Sequence, residues 1–220
     1  MGLGPVAGVD ACRGGWVAVV LERGSYARAL LAPGFGALLA ELEGAVAVGV
    51  DIPIGLPAAG RRPADAAARA FVGPMRNAVF PTPPREALLA STYAEARKLV
   101  PSLSAQSYAL RKKILEVEAH VSDGRIFEVH PEVSFAALAG RRYLQYSKRT
   151  WNGQIERRRL LAGHGIELPD EIGDAGRAGP DDVLDAAAAA WSANRFRQKK
   201  AKTLPESPPK QSGRAVAIWY

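Results

Sequence analysis

Acidic side chains recur in this sequence where two apolar segments end and where a late helix begins. Asp10 and Asp51 each come at the end of an apolar run that is predicted to be a buried strand. Asp182 and Asp185 are three positions apart near the start of a predicted helix, so they project from one helix face. Neighbouring strands lie about 4.8 Å apart, which lets carboxylates ending adjacent parallel strands share one cation. The spacing therefore predicts an acidic metal site.

A divalent cation would relieve the repulsion among these groups. Clustered carboxylates repel one another, and burying them unpaired is costly. Mg²⁺ and Mn²⁺ prefer oxygen ligands, and a pair of such ions about 4 Å apart can activate a water and stabilise the leaving oxygen in phosphodiester cleavage. We predict Asp10, Asp51 and Asp185 as ligands of Mg²⁺ or Mn²⁺. Asp182 and Glu128, the latter on a short strand-like segment before Glu132, complete the predicted catalytic set.

Each acidic residue also has an ordinary structural explanation. An Asp at a strand end is often a turn former, which covers Asp10 and Asp51 taken singly. Asp182, close to Pro180, fits the usual preferences of a helix N-terminus. Glu128 has the alternatives of facing solvent or pairing with an arginine. Such roles can explain any one of these residues, but they explain the whole set in this order less easily.

The segments around the acidic residues predict an α/β fold. Three strands at 6–12, 16–21 and 26–31, joined by two tight turns, predict an antiparallel meander, followed by a helix at 35–42 and a buried strand at 45–50. We predict one domain over residues 1–220 with a helical and Pro-rich insertion at about 56–123. The remaining predicted elements are helices at 64–71, 92–99, 105–120, 133–138, 154–162 and 180–197, strands at 125–130 and 216–219, irregular structure at 73–85 and a solvated loop at 199–213.

Composition narrows the possible partners and compartment. The net charge is +7 and the pI about 9.7, which favours polyanionic partners such as nucleic acid, although a generally basic surface is an equal alternative. The single cysteine, Cys12, allows no internal disulfide and fits a reducing cytosol. No secretory signal and no membrane-spanning run is predicted. We expect a soluble, cytoplasmic protein.

A set of segments, taken together, resembles a known family. The segments in order are GVDACRGGW (8–16), DIPIG (51–55), RPADAAAR (62–69), VFPTPPR (79–85), FEVHPE (127–132), the stretch 147–157 and DDVLDA (181–186). With them the chain resembles the predicted nucleases with a ribonuclease H-like fold that are catalogued as domain of unknown function 429. The matches span most of the chain, and the set is specific although no single segment is.

The resemblance implies a mixed sheet with three leading antiparallel strands flanked by helices. The chain is also remotely similar to the Holliday-junction resolvases of the same fold, in which acidic residues end strands one and four and two Asp begin the final helix. Asp10, Asp51, Asp182 and Asp185 match those places. The chain departs from ribonuclease H itself, which carries a Glu on its first helix, because the glutamates near the end of that predicted helix are poor candidates.

Basic residues of the matched segments are candidates for holding a substrate. Arg69, Arg85 and Lys148 are predicted to bind phosphate or carboxylate groups through charge-assisted hydrogen bonds. Arg157 belongs to a run of three arginines, which is more typical of a solvated helix face. His130 lacks the partner spacing of a metal ligand and is predicted to be structural.

The leading functional hypothesis is a divalent-metal-dependent phosphodiester hydrolase, nuclease-like in chemistry, which uses water as its nucleophile. A second hypothesis is a phosphotransferase related to the actin-like ATPases, whose first phosphate loop also follows an apolar strand and an Asp. The chain is short for that architecture and shows no Gly-rich adenosine motif in its second half. A third is a non-catalytic ligand-binding module that retains the fold.

Overall fold

The chain opens with three antiparallel strands in the computed structural model, which describes residues 4–220. They are β1 (Val6–Cys12), β2 (Gly15–Glu22) and β3 (Ser25–Ala32). The turn between β1 and β2 is tight because Gly14 adopts a φ of 85°, a conformation that glycine reaches without strain. The first two strands are buried along nearly their whole length, and β3 lies at the exposed edge. The predicted meander is therefore present.

Two parallel strands complete the main sheet. Helix α1 (Phe35–Glu41) leads to β4 (Ala47–Val50), which pairs in parallel with β1, and β5 (Ile126–Glu128) pairs in parallel with β4. The strand order is β3-β2-β1-β4-β5. This order confirms an α/β protein with a mixed five-stranded sheet, and it brings the carboxyl ends of β1, β4 and β5 together at one edge.

The segment between β4 and β5 is mostly helical. It contains α2 (Pro63–Val72), a 3-10 turn (Gly73–Ala78), α3 (Arg85–Leu89), α4 (Tyr93–Leu99), α5 (Ala105–Ala109) and α6 (Arg111–Glu118). A reciprocal capping box between Thr92 and Glu95 begins α4. The helix predicted at 105–120 is two helices that meet at Leu110, and the region predicted to be irregular at 73–85 includes the 3-10 turn.

The second half of the chain supplies the helices that cover one face of the sheet. They are α7 (Pro131–Leu138), α8 (Trp151–Ala162) and α9 (Pro180–Arg197), with a 3-10 turn (Gly173–Arg177) before α9. Helix α9 lies directly on β1, so closely that a Cβ at Gly8 would collide with the backbone of Ala186 and Ala190. This close approach of small residues fixes the start of α9 beside the ends of β1 and β4.

Apolar side chains fill both faces of the sheet. One core lies between the sheet and α9 and includes Val17, Val19 and Phe135, and the other includes Trp16 and Phe35 under α1 and α6. Alternating residues of β2 therefore belong to opposite cores, as the pleat of a strand requires. Within the described part of the chain, no helix has the length and apolar character that crossing a membrane requires.

The C-terminal segment contains more structure than the predicted solvated loop. Strand β6 (Thr203–Leu204) pairs with β9 (Ile218–Trp219), and β7 (Lys210–Gln211) pairs with β8 (Arg214–Ala215). Leu204 and Ile218 are buried in a small cluster against α2. This apolar contact explains why β6 and β9 pair although the segment between them is rich in Lys, Pro and Ser.

Candidate metal centre

Three carboxylates meet at the edge of the sheet where β1 and β4 end. Asp10 lies near the end of β1, Asp51 directly follows β4, and Asp185 lies in the second turn of α9. One carboxylate oxygen from each residue lies within 4.8 Å of the other two. Asp10 is 7% exposed and Asp185 is 1% exposed, while Asp51 is half-buried. The three carboxylates form a group of the size that holds a metal ion.

Each carboxylate is held by the surrounding chain. The backbone N–H of Ala11 donates to Asp10 Oδ1 at 2.7 Å. The backbone N–H of Asp51 donates to the Val9 carbonyl at 2.9 Å, which extends the pairing of β4 with β1 by one residue. Lys148 Nζ donates to Asp185 Oδ2, whereas Asp185 Oδ1 is buried and has no hydrogen-bond partner among residues 4–220. A buried acceptor without a donor is costly, and a cation would satisfy it.

The environment opposes ionisation of the whole group. Burial raises the pKa of Asp10 well above its usual range, and the charges of Asp51 and Asp185 add to the increase. Burial raises the pKa of Asp51 to about 7, against the opposing charge of Lys148. Burial likewise raises the pKa of Asp185 to about 7, with Lys148 again opposing and Asp51 adding to the rise. The metal-free group therefore retains protons near neutral pH, which a bound cation would displace.

A cavity of about 390 Å³ opens onto the three carboxylates. Further walls come from the segment between β4 and β5, from the residues after β5 and from residues 147–149 before α8. The complete lining, including the ends of β1 and β4 and the start of α9, carries eight carboxylates against three cationic side chains, Arg62, Lys148 and Arg149. This excess of negative charge favours a cation in the cavity.

An ion-pair network joins the helical segment between β4 and β5 to the end of β5. Arg62 Nη1 and Nη2 each donate to Glu128 at 2.8 Å, and Arg62 Nη2 also donates to Asp65 Oδ1 at 2.5 Å. Asp65 in turn accepts the backbone N–H of Thr82 at 2.8 Å, and Glu128 accepts that of Ile54 at 2.7 Å. Burial alone would lower the pKa of the Arg62 guanidinium, but the two carboxylates outweigh it and raise that pKa. The network fixes one wall of the cavity.

A second buried ion pair lies on the other side of the cavity. Arg157 Nη2 donates to Glu132 Oε1 at 2.7 Å, and Arg157 Nη1 donates to the carbonyls of Tyr146 and Gly153. The solvated position predicted for Arg157 is wrong, because its side chain is fully buried. The absence of a side chain at Gly153 lets the loop before α8 pack closely against the helix, and this packing covers Arg157.

The predicted site residues divide into those at the cavity and those elsewhere. Asp182 and Lys148 line the cavity, and Asp182 is outside the group of three carboxylates. Glu128 also lines the cavity, but both of its carboxylate oxygens bind Arg62. Arg69 instead donates to the Arg76 and Val79 carbonyls and stabilises the 3-10 turn. Arg85 pairs with Glu118 at 2.5 Å beside a different depression.

Sequence reasoning missed several residues of the cavity wall. Arg62, Asp65 and Thr82 line it, and so does His130, whose buried Nδ1 has no hydrogen-bond partner among residues 4–220. The signal for Arg62 and Asp65 was their spacing, since residues three apart at a helix start lie on one face. No comparable local signal exists for Thr82, which meets Asp65 across 17 residues of Pro-rich chain.

The fold and the site define an α/β protein with a buried carboxylate group that can hold a metal ion. A sequence model of the family described as "Protein of unknown function (DUF429)" matches residues 8–210, and the chain belongs to this family. No curated protein and no solved structure matched the chain.

Proposed function

We propose that this protein is a divalent-metal-dependent phosphodiester hydrolase, nuclease-like in its chemistry, on a ribonuclease H-like fold. The strand order β3-β2-β1-β4-β5, with three antiparallel strands followed by two parallel ones, supports the fold. One observation carries the function. Asp10, Asp51 and Asp185 converge within 4.8 Å, and one buried oxygen of Asp185 has no donor in the part of the chain that the structure describes.

The donor set fits Mg²⁺ or Mn²⁺. All three side chains offer carboxylate oxygen, which hard cations prefer, and the group contains neither the thiolate nor the imidazole that favours softer metals. Asp10, Asp51 and Asp185 would hold the ion. When bound, such an ion supplies Lewis-acid stabilisation of phosphate oxygens and lowers the pKa of a water bound to it.

The surrounding residues prepare the cavity for hydrolysis. Lys148 holds the Asp185 carboxylate through Oδ2, which leaves the buried Oδ1 without a donor in the described residues and open to a cation. The buried Arg62 network ties the segment between β4 and β5 to Glu128 and so positions a second wall of the cavity. Asp182, half-buried at the cavity wall and outside the ligand group, has carboxylate oxygens available to accept a proton from an attacking water.

The test is hydrolysis of bis(p-nitrophenyl) phosphate and of DNA, RNA and branched substrates with Mg²⁺ or Mn²⁺. We expect turnover that EDTA abolishes and that Asp10→Asn lowers by at least about 100-fold, the scale of removing one charge-stabilising group from an active site. Asp170→Asn is the matched control, because Asp170 is fully exposed. Absence of turnover with every substrate, or equal turnover by Asp10→Asn and wild type, would refute the proposal.

A further inference from the structure

An exposed tryptophan lies just outside the acidic cavity. Trp151 begins α8 and is 75% exposed, whereas Trp16 and Trp191 are buried and Trp219 is half-buried. Tyr146, five residues earlier, is 39% exposed. Exposing a large aromatic surface to water is unfavourable, and two exposed aromatic side chains close together beside a candidate site make this surface a candidate for contact with another molecule.

Trp151 and Tyr146 form part of a shallow surface pocket of about 600 Å³, which we call the aromatic depression. Its lining consists of Tyr146, Trp151, Asn152, Ile155, Glu156, Arg159 and Leu160. The Glu156 carboxylate accepts the backbone N–H groups of Gln145 and Tyr146, so its charge is partly satisfied within the wall. The depression therefore combines flat aromatic surface with the positive charge of Arg159.

Two exposed arginines, Arg159 within the depression and Arg149 at the neighbouring cavity wall, add positive charge to this region. Arg149 and Arg159 are exposed, and neither guanidinium has a carboxylate within 4 Å in the described residues 4–220. In contrast, Arg62 and Arg157 near the cavity are buried in ion pairs with carboxylates. Interleaved aromatic and basic side chains are the usual means of binding single-stranded nucleic acid, where bases stack and phosphates pair with cations.

One short segment connects the depression to the cavity. Ser147, Lys148 and Arg149 line the acidic cavity, and α8 begins two residues later with Trp151. Lys148 is directed inward to Asp185, while Trp151 is directed to solvent. A flexible polymer lying in the depression would thus lie beside the segment that lines the cavity.

The carboxylates lie in a small cavity, which a rigid duplex enters less easily than a flexible strand. Asp185 is 1% exposed, at the base of a cavity of about 390 Å³, which is the size of a small-molecule site. A duplex keeps its bases stacked and its phosphates on a stiff cylinder, whereas an unpaired strand bends at every nucleotide and offers free base faces. The geometry favours the unpaired strand.

We propose that the aromatic depression binds an unpaired nucleic acid strand and guides it to the acidic cavity. Bases stack on Trp151 and Tyr146, and phosphates contact Arg149 and Arg159. Delivery of a phosphodiester to the carboxylates rests on the proposed function, whereas binding in the depression stands without it.

Fluorescence anisotropy in EDTA, where metal-dependent cleavage cannot occur, tests the binding. The probes are fluorescein-labelled 12-nucleotide oligo-dT and oligo-U and a blunt 12-base-pair DNA duplex. We expect tighter binding of the single strands than of the duplex and about 5- to 150-fold weaker single-strand binding by Trp151→Ala, the loss of one base stack. Trp151→Phe restores most of it. Leu89→Ala is the matched control, because Leu89 is 59% exposed in the insertion.

Two further measurements separate stacking from charge. Unlabelled oligo-dT quenches the tryptophan fluorescence of wild type but not of Trp151→Ala, since two of the other tryptophans are buried and Trp219 is half-buried. The double variant Arg149→Ala/Arg159→Ala reduces the slope of log affinity against log salt by about 1.4, or about 0.7 for each lost phosphate contact.

Several outcomes would overturn the inference. They are no measurable binding of the single strands, equal affinity of Trp151→Ala and wild type, or preference for the duplex. A concentration-dependent mass of wild type in sedimentation, abolished in Trp151→Ala, would assign the depression to self-association instead. If oligo-dT binds but is not cleaved in Mn²⁺, binding in the depression is supported and the proposed function is not. If the wild type hydrolyses bis(p-nitrophenyl) phosphate but binds no oligonucleotide, the proposed function is supported and binding in the depression is refuted.

Discussion

Replacing Asp10 by Asn should stabilise the metal-free protein, although the residue is buried and lies at the candidate site. In the absence of a cation Asp10 is close to two other carboxylates, and among residues 4–220 only Lys148 supplies a compensating charge at hydrogen-bond distance from the group. Asn has nearly the same shape and can still accept the N–H of Ala11 through its carbonyl oxygen. The substitution thus removes repulsion while leaving the packing in place.

The magnitude follows from the separation of the carboxylates. Two full charges 4.8 Å apart repel by about 3.5 kcal/mol at an effective dielectric constant of about 20. The raised pKa values of the three carboxyl groups mean that the group is only partly ionised near pH 7, and Lys148 offsets part of the remainder. We expect a gain of about 1–2 kcal/mol, which for a chain of this length raises Tm by about 2–8 °C.

The assay is thermal unfolding with EDTA and with Mn²⁺. Wild type should gain about 2.7 kcal/mol when free Mn²⁺ is 100 times its Kd, while Asp10→Asn should gain much less. The order of Tm values therefore inverts, with the variant more stable in EDTA and wild type more stable in Mn²⁺. Asp170→Asn, at a fully exposed position, should follow wild type in both conditions. A variant less stable than wild type in EDTA, or equally shifted by Mn²⁺, would refute the reasoning.

Three more predictions concern the same edge of the sheet. Burial raises the pKa of Asp10 and raises those of Asp51 and Asp185 to about 7, so folding takes up protons. The metal-free protein should therefore lose stability as pH rises from about 4 through 7 in thermal melts, and a flat or rising Tm would contradict this. Arg62→Met leaves the buried Asp65 and Glu128 carboxylates without the guanidinium and should lower the free energy of unfolding, measured in urea, by about 3–5 kcal/mol. An unchanged free energy of unfolding would show that the network adds no stability. Gly8→Ala forces a Cβ into the backbone at Ala190, so it should lower the free energy of unfolding by about 3 kcal/mol and reduce the rise in Tm that Mn²⁺ produces. Gly44→Ala, at a position with open space for a Cβ, should change neither quantity.

Much of the fold followed from the sequence because its signals are local. The tight turns and apolar runs fixed the leading strands, and Asp10 and Asp51 were found from their places at strand ends. Helical spacing placed Asp182 and Asp185 on one face but did not distinguish them. Only the close packing of α9 on the sheet buries Asp185 and leaves Asp182 half-exposed at the cavity wall.

Charged residues with distant partners could not be placed in this way. Arg157 and Arg158 are neighbours in one arginine run, yet Arg157 is buried with Glu132 and Arg158 is exposed beside Asp170. Nothing within a few residues of either arginine indicates the difference, because the partner of Arg157 lies 25 residues earlier in the chain. Burial of a charge depends on a partner that only the folded chain supplies.

Strand register explains why Glu128 binds Arg62 instead of joining the carboxylate group. Val9 lies opposite Val50, and Val50 lies opposite Glu128, so these three positions face the same side of the sheet. Asp10 and Asp51 each come one residue later than this row and therefore face the other side, toward α9. A shift of one residue in β5 would exchange Glu128 with Val129 and bring a fourth carboxylate to the metal ligands. The offset instead separates two roles at adjacent strand ends: the carboxylates that can hold a cation lie on the α9 side, and Glu128 anchors the segment between β4 and β5 on the other.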